Sequence, residues 1–217
     1  MHNWKYTASV IMITIVIMAI GGILWNSGPT ELKPDTKIEL EPDSVTKKPI
    51  SWQRGNRDAP VTIDEYPDFG CHICIEKEVM VLQALNAYPE KIRVIHHHYS
   101  SSGFYEKLAE SLEAAGEQGK FWEFHDRLIQ KVPDDTTSLL GLAEDLGLDM
   151  GRFSEALDSG KYTETVRKSK EEANTQGVTG VSMFINGKEY EKSPGTLEDL
   201  YNAIDNELVK LDTNDKQ

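Results

Sequence analysis

The chemistry of this chain concentrates at Cys71-His72-Ile73-Cys74, which holds the only two cysteines among 217 residues. Two thiols at this spacing can close a disulfide, exchange it with a partner, or ligate a metal. With no third cysteine a framework of structural disulfides is excluded, and the pair can react without internal scrambling. Upstream, Val61, Ile63 and Glu65 alternate with Thr62, Asp64 and Tyr66, which predicts a strand over Val61 to Tyr66. Pro67-Asp68-Phe69-Gly70 breaks it, and Ile75, Val79, Leu82 and Leu85 then recur at helical spacing. Strand, turn, CxxC and helix follow in that order. Such a junction puts Cys71 at the helix N-terminus, where unpaired N–H groups and the helix dipole favour a thiolate. The pKa of such a sulfur can fall to roughly 3.5–7.5. Cys71 is therefore the expected nucleophile, and Cys74, one turn inside the helix, the shielded resolving thiol.

Neighbouring residues add chemistry or compete with it. His72, between the thiols, stabilises a Cys71 thiolate when protonated, or is an exposed histidine without that role. Glu65 lies in phase with Val61 and Ile63, so it either points inward as a base for Cys74 or outward from an edge strand. A zinc site built from both cysteines and two of His72, His96, His97 and His98 is the competing chemistry. No second CxxC and no H-x3-5-H pair supports it. The His96–His98 run reads as strand surface and His125 as a satisfied helix residue. No metal and no cofactor are expected.

The surrounding elements predict an α/β domain. A second strand is expected over Ile92 to Tyr99, and Tyr88-Pro89 ends the helix before it. Between Ser100 and Asn174 the apolar spacing is helical throughout: Leu108, Leu112 and Ala115; Phe121, Phe124 and Leu128; Leu139, Leu142 and Leu146. Asp149 caps a further helix carrying Phe153 and Leu157, which Gly160 terminates. Val181 to Ile185 returns to strand character, and Asn186-Gly187 predicts a hairpin turn into Lys188 to Tyr190. Thr196 and Asp199 form a capping box for a last helix whose apolar face is Leu197, Leu200, Ile204 and Leu208.

Ahead of this domain, Ala8 to Trp25 is an uncharged run of 18 residues, enough helix to cross roughly 27 Å of hydrocarbon. Trp4, Tyr6 and Trp25 suit the two interfaces, and Lys5 favours a cytoplasmic N-terminus, placing the rest outside. A cleaved signal peptide is the alternative, although the run is long for one and no A-x-A site follows. Pro29, Pro34, Pro42 and Pro49 mark an extended linker able to reach about 70 Å. The formal net charge of -13 disfavours nucleic acid and anionic lipid surfaces as partners.

Asp58-Ala59-Pro60-Val61-Thr62-Ile63 and Tyr66-Pro67-Asp68-Phe69-Gly70-Cys71-His72-Ile73-Cys74 together resemble the active-site strand and motif of DsbA-like thioredoxin-fold proteins. The resemblance extends through Gly116-Glu117-Gln118-Gly119-Lys120-Phe121-Trp122-Glu123-Phe124-His125, the stretch 142–149, Gly177 to Val181 and Met183 to Gly187, covering about residues 55 to 210. It implies a thioredoxin-like fold with an all-helical insertion, preceded here by one transmembrane helix. The expected layout is an anchor at 1–26, a linker at 27–54, the first part of the fold at 55–100, the insertion at 101–175, the second part at 176–210 and a polar tail at 211–217. It also implies disulfide exchange with thiol-containing exported proteins through Cys71 and Cys74, with Glu65 as the buried acid. A membrane redox partner follows: a DsbB-like or VKOR-like oxidase for oxidation, or a membrane electron donor for isomerisation or reduction. Two positions depart from the family. His72 stands where proline usually follows the first cysteine, and Gly180-Val181-Ser182-Met183 lacks the proline that faces the CxxC. Val181 or Ser182 must take that substrate-binding place, and because a non-proline cis bond costs about 2.5–4 kcal/mol the loop is expected to turn trans or to be rearranged, and to bind substrate less well. A tethered binding module without turnover is the alternative function.

Overall fold

The computed structural model describes residues 51–101, 103–178, 182–190 and 195–214. The chain divides into two units, Met1–Thr46 and Lys47–Gln217, and every described residue belongs to the second. The expected membrane helix, most of the expected linker, and Val181 lie outside the described residues. Among the described residues no helix is long and apolar enough to cross a membrane.

A five-stranded sheet in the order β1-β3-β2-β4-β5 organises the second unit. Strand β2 (Val61–Glu65) alternates buried and half-buried residues, as its apolar pattern requires. Strand β3 (Ile92–His96) runs parallel to it and sets Glu65 opposite His96. Helix α1 (His72–Ala87) makes the crossover between them. On the other side β4 (Met183–Ile185) is antiparallel to β2, with Met183 opposite Glu65, and β5 (Lys188–Glu189) completes the hairpin. The turn between them has Asn186 at φ 49° and Gly187 at φ 74°, the two positive values that an Asn-Gly hairpin turn supplies. Five helices, α2 (Phe104–Gly116), α3 (Phe121–Gln130), α4 (Thr136–Asp145), α5 (Met150–Asp158) and α6 (Thr163–Thr175), form the insertion. The last helix, α7 (Leu197–Asn214), begins at the expected capping box, in which Thr196 and Asp199 exchange side-chain to backbone hydrogen bonds of 3.0 and 3.1 Å.

Two main cores flank α1. Val61, Ile63, Val81, Ile92, Val94, Met183, Leu200 and Ile204 close the sheet against α1 and α7. Leu108, Leu112, Phe121, Phe124, Leu128, Leu139 and Phe153 build the core of the insertion. This arrangement corrects the expected face of α1. Val79 is 41% exposed, and the buried stripe is Cys74, Lys77, Glu78, Val81 and Ala84. Ile75 and Leu82 lean on the insertion core and Leu85 on the sheet core, so the helix divides its apolar residues between two bodies and leaves charged residues between them.

Residues 52–54, expected to end the linker, belong instead to β1 (Trp52–Gly55), antiparallel to the outer edge of β3. Trp-Gln-Arg-Gly carries no alternating apolar signal, and tertiary contacts hold it instead. The Trp52 ring stacks on Phe121 at 4.3 Å, and Trp122 Nε1 donates to Gln53 O at 3.2 Å. Arg54 sits 4.4 Å over the Trp122 ring and bonds Asp126 at 2.8 Å. Gly116 makes the Trp52 contact possible, since a Cβ there would lie 2.4 Å from its Cζ2. At Gly55 the backbone has φ +91°, and a Cβ would lie 2.6 Å from Ile92 O. Gly55→Ala is therefore expected to lower stability by about 1–2 kcal/mol or more, read as a lower urea midpoint with an unchanged slope.

Candidate active site

The turn before α1 is built around Asp68, which is buried. Its Oδ1 accepts from Gly70 N at 2.9 Å, and its carbonyl accepts from Cys71 N at 2.9 Å. This fixes Cys71 in an extended conformation (φ -112°, ψ 112°) as the N-cap of α1. Cys74 N donates to Cys71 Sγ at 3.3 Å, so the sulfur occupies the place of a capping oxygen. The two cysteines are not joined in a disulfide; Cys71 is half-buried and Cys74 only 2% exposed. Burial, reinforced by the hydrogen bond with Cys71, pushes the Cys74 thiol up to about 12. Iodoacetamide at pH 8 is accordingly expected to label Cys71 roughly a hundredfold or more faster than Cys74 in the folded chain, and both equally in denaturant. Peptide mass spectrometry of the two alkylated forms measures the ratio. His72, on the first turn, projects into solvent with its side chain 88% exposed and its Nε2 3.3 Å from Glu76 Oε1.

Beneath the cysteines Glu65, Tyr66, Pro67, Cys74, Lys77, Glu78, Ser182 and Met183 line a small cavity whose volume of about 10 Å³ admits the centre of one water. Glu65 faces inward at 1% exposure. Burial, and then the charge of Glu78, raises its pKa well above the ordinary carboxylate range. Lys77 is 5% exposed, and burial lowers its pKa. Ser182 is buried and donates from Oγ to Glu189 Oε1 at 3.3 Å. Glu65, Cys74 and Ser182 thus meet at one cavity, which neither Cys71 nor His72 lines. Glu78 and Lys77 were not foreseen as site residues. Their only sequence signal is their position, four and three residues after Cys74 on the same helix.

The histidines overturn the expected strand surface. His96 and His98 are 1% and 3% exposed, and His125 is fully buried. Only His97 of the run takes the opposite face, where it stacks on Tyr66 at 4.5 Å and contacts Asp64 Oδ1 at 2.9 Å. His96 is in phase with Ile92 and Val94, and α2 and α3 cover this end of the sheet. His96 Nδ1 lies 3.2 Å from Glu65 Oε1, and His98 Nε2 lies 2.6 Å from Glu113 Oε1, which also accepts from Trp52 Nε1 at 2.8 Å. His125 Nδ1 lies 3.2 Å from Asp126 Oδ1, and its Nε2 lies 3.2 Å from Glu78 Oε2. Burial and the neighbouring imidazole of His98 push His96 well below the ordinary histidine range. For His125 burial acts in the same direction, but the carboxylates of Asp126 and Glu78 outweigh it and its pKa rises. Among the described residues, no group of three or more possible metal ligands includes either cysteine. The zinc arrangement weighed from the sequence is therefore not assembled.

A parallel β-α-β unit with a CxxC at the crossover helix N-terminus, flanked by an antiparallel hairpin and a last helix, defines a thioredoxin-type domain carrying a helical insertion. The chain belongs to the thioredoxin family, whose sequence profile it matches over residues 47–206. It is 31% identical over 172 residues to the probable disulfide bond formation protein D of Bacillus anthracis, covering 72% of this chain and 77% of that one. It is also 36% identical over 164 residues to the Na(+)/H(+) antiporter NhaA 1 of Salinispora arenicola, covering 73% of this chain but 24% of the antiporter. The chain thus spans about a quarter of the antiporter relatives' length. Among solved structures, oxidised BdbD of Bacillus subtilis superposes with a TM-score of 0.65 at 20% identity, covering 72% of this chain and 91% of that one. Alpha-DsbA1 of Wolbachia pipientis gives 0.66 at 20% identity, covering 75% and 95%.

Proposed function

We propose that this chain is a membrane-anchored, extracytoplasmic protein thiol-disulfide oxidoreductase that works through a Cys71–Cys74 redox pair on exported proteins. The observation that carries it is the asymmetry of the two sulfurs: Cys71 half-buried at the helix N-cap, Cys74 buried behind it. The probable disulfide bond formation protein of Bacillus anthracis supports the same reading. A substrate thiolate attacks Cys71 Sγ of the oxidised pair; a substrate–Cys71 disulfide forms while the Cys71–Cys74 bond breaks, and its electron pair and a proton end on Cys74. A second substrate thiolate then attacks the substrate sulfur of the mixed disulfide and expels Cys71 as a thiolate. In the reverse direction Cys74 must give up a proton before it attacks, and Glu65, across the shared cavity, takes it. His72, beside Cys71, tunes that thiolate, and the Val181-Ser182 loop receives the substrate.

The uncharged run Ala8 to Trp25 anchors the chain as a single membrane helix, and residues 27–50 tether the domain outside the cytoplasm. Its redox partner is a DsbB-like or VKOR-like membrane oxidase, or a membrane reductant where the pair runs as a reductase or isomerase. The second reading, a tethered binding module, draws on Val181 or Ser182 taking the place where the family has proline. Thiol mass-tagging separates the two. The full chain, oxidised and mixed with a reduced, unfolded secreted protein, is expected to gain two free thiols as the substrate loses two. Thiols that stay unchanged through the incubation would rule the enzyme out. The reduction potential of the pair then gives its direction.

A further inference from the structure

We infer that Glu65, His96, His125 and Glu78 form a binding site for a divalent transition-metal ion of the zinc class, inside the domain and separate from the two thiols. One donor atom from each of Glu65, His96 and His125 lies within 4.8 Å of the others, and all three residues are buried. Glu78 Oε2 lies 3.2 Å from His125 Nε2 and supplies a fourth donor. Ligands about 2.0–2.1 Å from a tetrahedral ion stand roughly 3.3 Å apart. The cluster needs only modest contraction to meet that geometry.

Each of the four residues contributes a buried atom that no hydrogen bond occupies. Glu65 Oε2, Glu78 Oε2, His96 Nε2 and His125 Nε2 are all buried without a hydrogen-bond partner. Glu78 Oε2 and His125 Nε2 are close enough to bond but are not aligned to do so. Two ligand atoms in contact without a hydrogen bond between them are placed as neighbours around a shared ion would be. The far side of His125 carries the matching support. Its Nδ1 meets Asp126 Oδ1, which Arg54 Nη1 holds at 2.8 Å, so a fixed carboxylate orients the ring and leaves Nε2 for the metal. Two imidazoles and two carboxylates suit zinc and its neighbours better than calcium or magnesium, which take oxygen ligands. The small cavity between Cys74, Ser182, Glu65 and Glu78 reaches the carboxylate side of the cluster. Where Glu65 also serves the exchange reaction proposed above, ion and proton compete for it.

The test uses the full chain with Cys71→Ser and Cys74→Ser, so that thiol-bound metal and the redox reading both drop out. After chelator stripping, reloading with Zn²⁺ and desalting, elemental analysis is expected to find one ion per chain, and Co²⁺ to develop visible absorption with the same stoichiometry. His96→Gln and His125→Gln should each weaken binding at least about tenfold, and Asp126→Asn roughly 10–100-fold. His97→Gln, on the opposite face, should leave it unchanged. Zn²⁺, but not Mg²⁺, should raise the thermal midpoint of the parent double variant, a readout independent of whether the histidine variants fold. A stripped and reloaded parent with no retained ion, affinity unaffected in both histidine variants, or no thermal shift with Zn²⁺ would each overturn the site.

Discussion

Cys71→Ala is expected to reduce disulfide exchange by at least about a thousandfold, to the uncatalysed background, while Cys74→Ala accumulates substrate as a mixed disulfide. The two losses differ because the two sulfurs have different access. Cys71 is half-buried, and its Sγ accepts the Cys74 amide and caps the helix, so in the proposed exchange it is the atom a substrate would reach. Cys74, 2% exposed and with its thiol pushed up to about 12, is neither reachable nor nucleophilic until it is deprotonated beside Cys71. Removing Cys71 removes the only point of entry. In the same proposed exchange, removing Cys74 would leave entry intact but take away the group that resolves the intermediate. Insulin reduction and refolding of a reduced secreted substrate measure the first loss, and non-reducing gels with diagonal mass spectrometry measure the second. If Cys71→Ala retained its full biological effect, the binding-module reading would replace the enzyme.

Glu113→Ala should destabilise the domain by about 3–5 kcal/mol, among the largest single-residue effects on stability expected outside the apolar cores. Glu113, on α2, is 2% exposed, and its Oε1 accepts from both Trp52 Nε1 at 2.8 Å and His98 Nε2 at 2.6 Å. One carboxylate oxygen thus ties the insertion to β1 and to the segment after β3. Alanine leaves two buried donors without an acceptor. Glu113→Gln can keep an acceptor oxygen in the shared Oε1 place but gives up the charge and puts an N–H where Oε2 stood, so about 1–3 kcal/mol is expected. Urea unfolding gives both values, and the thermal midpoint of the alanine variant should fall by about 10 °C or more. A loss under about 1 kcal/mol for alanine would show that the insertion docks through its apolar contacts alone.

Local chemistry was legible in the sequence wherever a residue type serves its own neighbourhood. Asp149 accepts from Arg152 N at 3.1 Å, Gly160 has φ 64°, and Asn186-Gly187 makes the hairpin, each where its side chain or its lack of one demands. The insertion was legible for a related reason: Leu108, Leu112, Phe121, Phe124 and Leu128 need only one apolar neighbour apiece to declare a helix face, and all are buried. Three things were not legible, and each depends on a partner distant in the chain. Strand β1 has no apolar alternation because Trp52 and Arg54 find their partners on α2 and α3. The buried stripe of α1 contains Lys77 and Glu78, which hydropathy alone assigns to solvent. His96 and His98 read as surface because the carboxylates that make their burial tolerable lie 31 residues before and 15 after.

The direction of β1 has a bearing on how the domain is hung. Trp52 pairs with His96, and His96 with Glu65, so the chain enters the sheet at the end that carries the cysteines and runs away from it. The turn at Asn186-Gly187 sits at the other end, where Asn186 Oδ1 accepts from Thr62 N at 2.8 Å. Whatever precedes Trp52 is therefore joined on the reactive rim rather than behind it.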